Sequence, residues 1–347
     1  MHEKENYQHE NRIKGGKIMK VMVTGGAGYI GSHTVCQLTQ EGHEVIVYDN
    51  LSKGHKKAVP EGIELVEGDL RDTLLLAEIL RKQQIEAVVH FAADSLVGES
   101  MTQPSKYYHN NVVATLALLD TMRDCGVDKI VFSSTAAVYG EPDSSPICED
   151  MPTRPTSVYG RTKLVIEGIL ADFSMAYGLK YVSLRYFNAA GALLGGQIGE
   201  DHSPESHLIP LLLQTALGKR ASISIYGTDY NTKDGTCIRD YIHVTDLADA
   251  HVLALGHLAE GGQSRVYNLG SENGFSVREV IEQTKLITGI DFKVEEAERR
   301  AGDPGVLIAS AAKIRSELGW QPVRSDLSAI ISSAWQWHQS HPKGYGK

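Results

Sequence analysis

A tyrosine and a lysine four residues apart stand in the run Ser157-Val158-Tyr159-Gly160-Arg161-Thr162-Lys163, and together they could act as a base near neutral pH. A phenol titrates near 10, so it gives up its proton at neutral pH only beside a positive charge. From Pro155 to Gly178 apolar residues recur at helical spacing (Val158, Leu164, Val165, Ile169, Leu170, Phe173), which predicts a helix. Residues four apart share a helix face, so the Lys163 ammonium is expected beside the Tyr159 ring, favouring phenolate. Lowering the phenol by about 3 units takes about 4 kcal/mol, which calls for a second positive charge such as an oxidised nicotinamide. Taken alone, Tyr-x-x-x-Lys equally describes a solvent-facing pair on any helix.

A nucleotide site is readable upstream. The buried-strand run Val21-Met22-Val23-Thr24 ends in Gly25-Gly26-Ala27-Gly28-Tyr29-Ile30-Gly31 and passes into a helical pattern through Leu38. In a strand, glycine loop and helix, Gly25, Gly28 and Gly31 let backbone N–H groups close on a pyrophosphate at the positive end of the helix. The next strand, Glu44 to Tyr48, ends in Asp49, whose carboxylate can accept from a ribose 2′-hydroxyl and repels a 2′-phosphate. NAD is therefore expected over NADP; without Asp49 the glycines would describe an ordinary tight turn.

The elements that must hold these residues follow a regular rhythm. Strand-like runs at Ile63–Val66, Ala87–Phe91, Lys129–Phe132 and Tyr181–Leu184 alternate with helical ones, which predicts an α/β fold with a doubly wound parallel Rossmann sheet. From about Gly191 the pattern loosens, with a helix near Leu208–Leu217 and an insertion-like stretch from Gly227 to Gly235. The division expected is a flexible leader over 1–18, an NAD-binding domain over 19–190 with a returning segment near 240–260, and a smaller substrate-binding lobe over 191–347.

With 347 residues, 42% of them hydrophobic, the chain can bury a sizeable core, and its net charge of -9 argues against a nucleic-acid partner. Lys53, Lys56 and Lys57 form the single local basic cluster, read as a solvated loop. Cys36, Cys125, Cys148 and Cys237 lack metal-ligand or C-x-x-C spacing, so reduced thiols and no metal are expected. No apolar run is long enough to span a membrane, and a cytoplasmic location is expected.

Thr24-Gly25-Gly26-Ala27-Gly28-Tyr29-Ile30-Gly31, Tyr48-Asp49-Asn50-Leu51, Ser133-Ser134-Thr135-Ala136-Ala137-Val138-Tyr139-Gly140 and Tyr159-Gly160-Arg161-Thr162-Lys163 together resemble the UDP-glucose 4-epimerase family of extended short-chain dehydrogenase/reductases. The resemblance continues through Arg185-Tyr186-Phe187-Asn188, the stretch Asp234 to Val244, and Arg299-Arg300-Ala301-Gly302-Asp303-Pro304, so it spans nearly the whole chain after Met19. It implies that Tyr159 accepts the proton of a sugar 4-hydroxyl while hydride passes to NAD⁺, giving a 4-keto sugar that turns over and is reduced from its other face. Thr135 is implied to bond the same oxygen, and Lys163 to hold the nicotinamide ribose and tune Tyr159. The cofactor ends as it began, so it is expected to stay bound.

Cofactor contacts implied by the resemblance are Gly25, Gly28, Tyr29, Ile30, Gly31, Asp49, Asn50, Asp69, Leu70, Phe91, Ala92, Asn110, Tyr159 and Lys163. Asp69 reads equally as a helix cap before Arg71-Asp72. Implied substrate contacts, besides Thr135 and Tyr159, are Asn188 beside the sugar and diphosphate, Arg239 and Arg300 on the diphosphate, and Asp303 on the uridine ribose. The planar guanidinium fork suits phosphate, although Arg239 next to Asp240 also reads as a surface ion pair.

Sugar-nucleotide 4,6-dehydratases, which share this scaffold, carry an acid and a base directly after the threonine. Ala136 and Ala137 stand there and can move no proton. A decarboxylase is disfavoured by the same absence, a non-catalytic NAD-binding sensor would not need Thr135, Tyr159 and Lys163 together, and a UDP-uronate 4-epimerase stays open. His207 replaces the asparagine common in the family, so a diphosphate contact there is made by backbone or imidazole. Leu307 stands where some members have a tyrosine crowding the sugar 2-substituent, which suggests room for UDP-GalNAc and UDP-GlcNAc; a packed leucine is the plain alternative. The helices around Pro104–Arg123 and Pro155–Tyr177 are apolar beyond what one sheet face needs, and a homodimer through them is expected.

Overall fold

A computed structural model describes residues 17–300 and 303–346, and the expected leader lies almost wholly outside them. The first half runs β1 (Lys20–Thr24), α1 (Tyr29–Gln40), β2 (Glu44–Asp49), β3 (Glu64–Glu67), α2 (Thr73–Lys82), β4 (Ala87–His90), α3 (Val97–Thr102), α4 (Pro104–Tyr107), α5 (Ala114–Asp124), β5 (Lys129–Ser133), α6 (Val158–Tyr177) and β6 (Lys180–Tyr186). The second half runs β7 (Asn188–Ala190), α7 (Leu208–Ala216), β8 (Ile223–Tyr226), β9 (Ile238–His243), α8 (Val244–Ala259), β10 (Arg265–Leu269), β11 (Gly274–Ser276), α9 (Val277–Thr288), β12 (Val294–Ala297), β13 (Val306–Leu307), α10 (Ala312–Leu318), α11 (Leu327–Ser340) and β14 (Pro342–Tyr345).

Seven strands form one sheet in the order β10-β6-β5-β4-β1-β2-β3, and every pairing is parallel. Parallel strands are covered on both faces, which is why Val21-Met22-Val23 and Ile130-Val131-Phe132 are unbroken apolar runs, buried throughout. One face packs on α1 and α8 through Val35, Leu38, Leu247 and Leu255, the other on α2, α5 and α6 through Leu76, Leu118 and Ile166. Burying each such leucine contributes about 1.5–3 kcal/mol. Helix α8 packs on the first sheet, and the seventh strand β10 was not anticipated. The helix expected over Pro104–Arg123 is broken into α4, a π-helical stretch Tyr108–Val113, and α5.

A separate apolar core gathers α7, α9 and α11 through Ile209, Leu212, Leu213, Ile281, Ile330 and Ile331. Its strands are few: β9 pairs with β7 and β13 in parallel and with β11 antiparallel, while β8 pairs with β12. A capping box of Ser276 and Glu279 starts α9, and Asp326 caps α11. Only two residues past β6, β7 begins at Asn188, so the chain passes directly from the sheet edge into the second set of elements.

Candidate active site

The strand order reverses between β1 and β4, and ligands of such sheets bind outside the carboxyl ends of the strands at that point. Gly25 turns there with φ +72, and a Cβ on it would stand 2.6 Å from the Ala92 nitrogen. A Cβ on Gly31 would stand 2.2 Å from the Gly25 carbonyl oxygen, so only glycine allows α1 to start this close to the turn. Gly28, the N-cap of α1, brings no side-chain cap, and the first turn holds no acid. The unpaired N–H groups of that turn are therefore left for an anion, and the cradle fits a pyrophosphate.

Asp49 closes β2 and accepts from the N–H of Ala27 at 3.0 Å and of Leu51 at 2.8 Å. Burial pushes its carboxyl up, and these two bonds oppose the shift. Asn50 is exposed and accepts from the Ser52 N–H. The Tyr29 hydroxyl donates to the Gly191 carbonyl at 2.6 Å, and Ile30 and Leu70 pack into the two sheet cores. These three side chains are spent on structure, so a cofactor contact from them must come from backbone. The cap reading of Asp69 falls instead on Asp72, which accepts from Leu75 N–H at the start of α2. Asp69 grips Arg71 through Nε at 2.7 Å and Nη2 at 2.6 Å, and the bonded guanidinium holds its carboxyl down at about 2. Phe91 lies against the His251 ring at 4.6 Å. Asn110 is half-buried in the π-helical stretch, while its neighbour Asn111, not singled out from the sequence, is buried and brackets the Asp94 backbone at 2.8 and 3.0 Å.

Ser157 caps α6 by accepting from Gly160 N–H, which fixes the first turn that carries Tyr159. Burial pushes the Tyr159 phenol up to about 12, and a hydrogen bond from Thr135 draws it back in part. Lys163 is 3% exposed; burial pulls its ammonium down to about 7, opposed by the charge of Glu167. Its Nζ donates to the Ser133 carbonyl at 2.8 Å and stands 6.0 Å from the Tyr159 ring centre. Both groups are desolvated, which disfavours both charged forms, so the second positive charge expected from the sequence is still called for.

Behind these groups lies a polar network not seen in the sequence. Arg185 on β6 holds Glu167 on α6 with Nε at 3.0 Å and Nη2 at 2.6 Å, each side chain 7% exposed. Ser134 donates to the same carboxylate at 2.5 Å, and Arg185 Nη1 reaches the Tyr139 hydroxyl at 2.8 Å. The network ties α6 to the ends of β5 and β6, between which Thr135 and Tyr159 meet. Composition and spacing give no hint of it, because the partners lie 18 residues apart on different elements.

A pocket in the second set of elements gathers Asn188, His207, Arg239, Arg300 and Asp303, all named from the sequence, together with Arg220 and Tyr226, which were not. Arg239 pairs with Asp303 across the pocket rather than with Asp240, which is fully buried and accepts from Ser271 and Ala309. Arg300 is exposed, its guanidinium 4.0 Å from the Tyr226 ring centre. Asn188 donates to the Asp240 carbonyl at 2.9 Å. The His207 imidazole pairs with Glu200, whose charge raises its pKa. Tyr159, Thr135 and Leu307 are not in the lining of this pocket; Leu307 packs against the cluster of Ala136, Val138, Tyr139 and Ile147 just beyond Thr135.

A doubly wound parallel sheet with a glycine turn at its switch point, and a threonine, tyrosine and lysine gathered beyond the carboxyl ends of its strands, is the architecture of a dinucleotide-dependent enzyme. The chain belongs to the NAD dependent epimerase/dehydratase family, whose model matches residues 21–270. It is 56% identical over 327 residues to the UDP-glucose 4-epimerase of Halalkalibacterium halodurans, spanning 94% of this chain and 98% of that one. A crystal structure of a UDP-glucose 4-epimerase superposes with a TM-score of 0.93 at 53% identity, covering 94% of this chain and 100% of the other. The Brucella ovis UDP-glucose 4-epimerase, crystallised in complex with NAD, gives a TM-score of 0.90 at 50% identity over 91% of this chain and 97% of its own.

Proposed function

We propose that this chain interconverts UDP-glucose and UDP-galactose by NAD-dependent epimerisation at C4. The observation that carries the reading is the meeting of Thr135 with Tyr159, with Lys163 6.0 Å from the Tyr159 ring centre and Ala136 and Ala137 following the threonine. When bound, the nicotinamide supplies a hydride acceptor and donor at the sugar carbon. Tyr159 takes the proton of the 4-hydroxyl and later returns it, Thr135 holds the same oxygen, and Lys163 holds the nicotinamide ribose. Gly25, Gly28, Gly31 and the first turn of α1 take the pyrophosphate, and Asp49 takes the adenosine ribose. Asn188, Arg239, Arg300 and Asp303 take the UDP moiety, with Arg220 a further cation in the same pocket.

The division of labour follows the cores: the seven-stranded sheet with α8 and β10 serves the cofactor, and the elements around α7, α9 and α11 serve the nucleotide sugar. The protein works as a homodimer through the exposed apolar residues Met101, Val113, Leu116 and Val165 on and beside α3, α5 and α6. Among the described residues no helix is long and apolar enough to cross a membrane.

The test is to incubate the purified protein with UDP-galactose, without added nicotinamide, and follow the sugar anomeric protons by NMR. Conversion to a UDP-glucose mixture is expected, with a cofactor retained from purification. No conversion even after NAD is supplied would overturn the substrate assignment.

A further inference from the structure

The segment from Glu200 to His207 leads into the first turn of α7, and its side chains converge. Glu200 Oε1 faces two imidazoles, with His202 Nδ1 at 3.1 Å and His207 Nδ1 in still closer contact. Glu205 brings Oε2 to 3.9 Å from His202 Nδ1 and Oε1 to 4.0 Å from His207 Nδ1. One ligand atom from each of the four residues lies within 4.8 Å of all the others. Both carboxylates are withdrawn from water, at 4% and 6% side-chain exposure, while the imidazoles at 28% and 51% leave a way in for an ion.

The geometry points to a divalent-cation site formed by Glu200, His202, Glu205 and His207, with Zn²⁺ the ion that suits it. Zinc takes imidazole nitrogen and carboxylate oxygen at about 2.0–2.2 Å in a tetrahedron, whose edges are then about 3.4 Å. Drawing in the present set, spread up to 4.8 Å, asks for side-chain shifts on the order of 1 Å. A divalent ion matches the two buried carboxylates by taking the place of the imidazolium protons that pair with them in this structure, so both imidazoles become neutral ligands. Magnesium and calcium prefer six or more oxygens, which this mixed set does not offer. Four protein ligands leave no open position for a reacting water, so the site is structural.

Its place gives it a use. The His202 ring lies edge-on to Tyr29 at 6.2 Å, and Tyr29 opens α1 at the dinucleotide turn, while His207 lines the nucleotide-sugar pocket. The ion therefore pins the start of α7 against the start of α1. With Nδ1 on the ion, the His207 proton is fixed on Nε2, leaving an N–H donor for an anionic ligand in the pocket. That last step rests on the nucleotide-sugar reading; the ion site does not.

The test strips the full chain with a chelator and titrates it with Co²⁺ as probe, then with Zn²⁺ in competition. The result expected is one Co²⁺ per chain with the strong visible absorption of tetrahedral coordination, displaced by one equivalent of Zn²⁺. Outer-shell changes at metal sites already cost about 10–100-fold in affinity, so His202→Ala weakens Co²⁺ binding at least about tenfold. Glu205→Gln, which keeps both imidazoles, does the same if the first variant fails to fold, and far-UV circular dichroism checks each. Absence of a tetrahedral band in the unaltered chain, or a band undiminished in a folded variant, would overturn the site and leave an ion-pair cluster. Epimerase turnover is not read, so this outcome is separate from that of the proposed function.

Discussion

The Lys163 ammonium donates to the Ser133 carbonyl at 2.8 Å and stands 6.0 Å from the centre of the Tyr159 ring, so the two groups share a helix face without touching. Bringing a phenol from about 12 to neutrality takes about 7 kcal/mol. Even a fully charged ammonium near 6 Å would supply only about 3 kcal/mol at an effective dielectric of 20, so a second cation is needed. The positive charge of oxidised nicotinamide can supply it. The cofactor-free protein is therefore expected to show no phenolate from Tyr159 below pH 11, and NAD⁺ to lower its titration by at least about 2 units, worth about 3 kcal/mol. Ultraviolet difference titration, with Tyr159→Phe as the blank, reads this directly; the variant should also keep its cofactor while losing turnover by about 10²–10⁴. An unmoved titration, or near-normal turnover in the variant, would refute the role given to Tyr159.

The Glu167–Arg185 pair predicts a stability effect. Each side chain is 7% exposed, and removing one partner strands the other charge in a dry interior. Glu167→Ala is expected to cost about 3–5 kcal/mol in urea unfolding, and Arg185→Met in the same chain to recover most of it, because an apolar pair carries no desolvation penalty. Equal losses in the single and double variants would mean that packing, not charge, sets the cost.

Much of this protein could be read in advance because its informative residues are neighbours in sequence. Gly25 to Gly31, Asp49 at the end of β2, and Tyr159 with Lys163 are local patterns whose backbone geometry nearly dictates their surroundings. What stayed hidden depends on contacts between distant segments. The run Arg265-Val266-Tyr267-Asn268-Leu269 carries no clear period, and it becomes β10 only because β6 offers a free edge. The Arg239–Asp303 pair bridges 64 residues. Glu200, His202, Glu205 and His207 lie close together in sequence, but their spacing fits no familiar ligand motif, and only the turn into α7 brings the four together.

Leu307 predicts a substrate range. It pairs in register with Arg239 of the pocket and packs on the cluster that follows Thr135, so it lies between the two sets of proposed substrate contacts. If it faces the sugar 2-substituent, its side chain, shorter than tyrosine, admits an N-acetyl group that tyrosine would crowd. Leu307→Tyr is expected to lower the ratio of UDP-GlcNAc to UDP-Glc turnover by at least about tenfold, in line with what steric selection in a pocket achieves. A ratio unchanged in the variant would make Leu307 a packing residue only.

Lys163 also sets a pH dependence of stability in the cofactor-free protein. Its ammonium titrates at about 7 in the folded chain, because burial disfavours the charge, and near 10.4 when unfolded. Between those values the unfolded chain holds one more proton than the folded one, so stability rises with pH there. The destabilisation is complete below about 7 and gone above about 10.4. Lys163→Met keeps a similar volume and removes the group. The stability of the unaltered protein minus that of this variant should therefore climb by about 1.4 kcal/mol per unit from pH 7.5 to 9.5, measured by chemical unfolding. A flat difference across that range would mean that Lys163 stays charged in the fold, and the Ser133 carbonyl would then have to compensate for its desolvation.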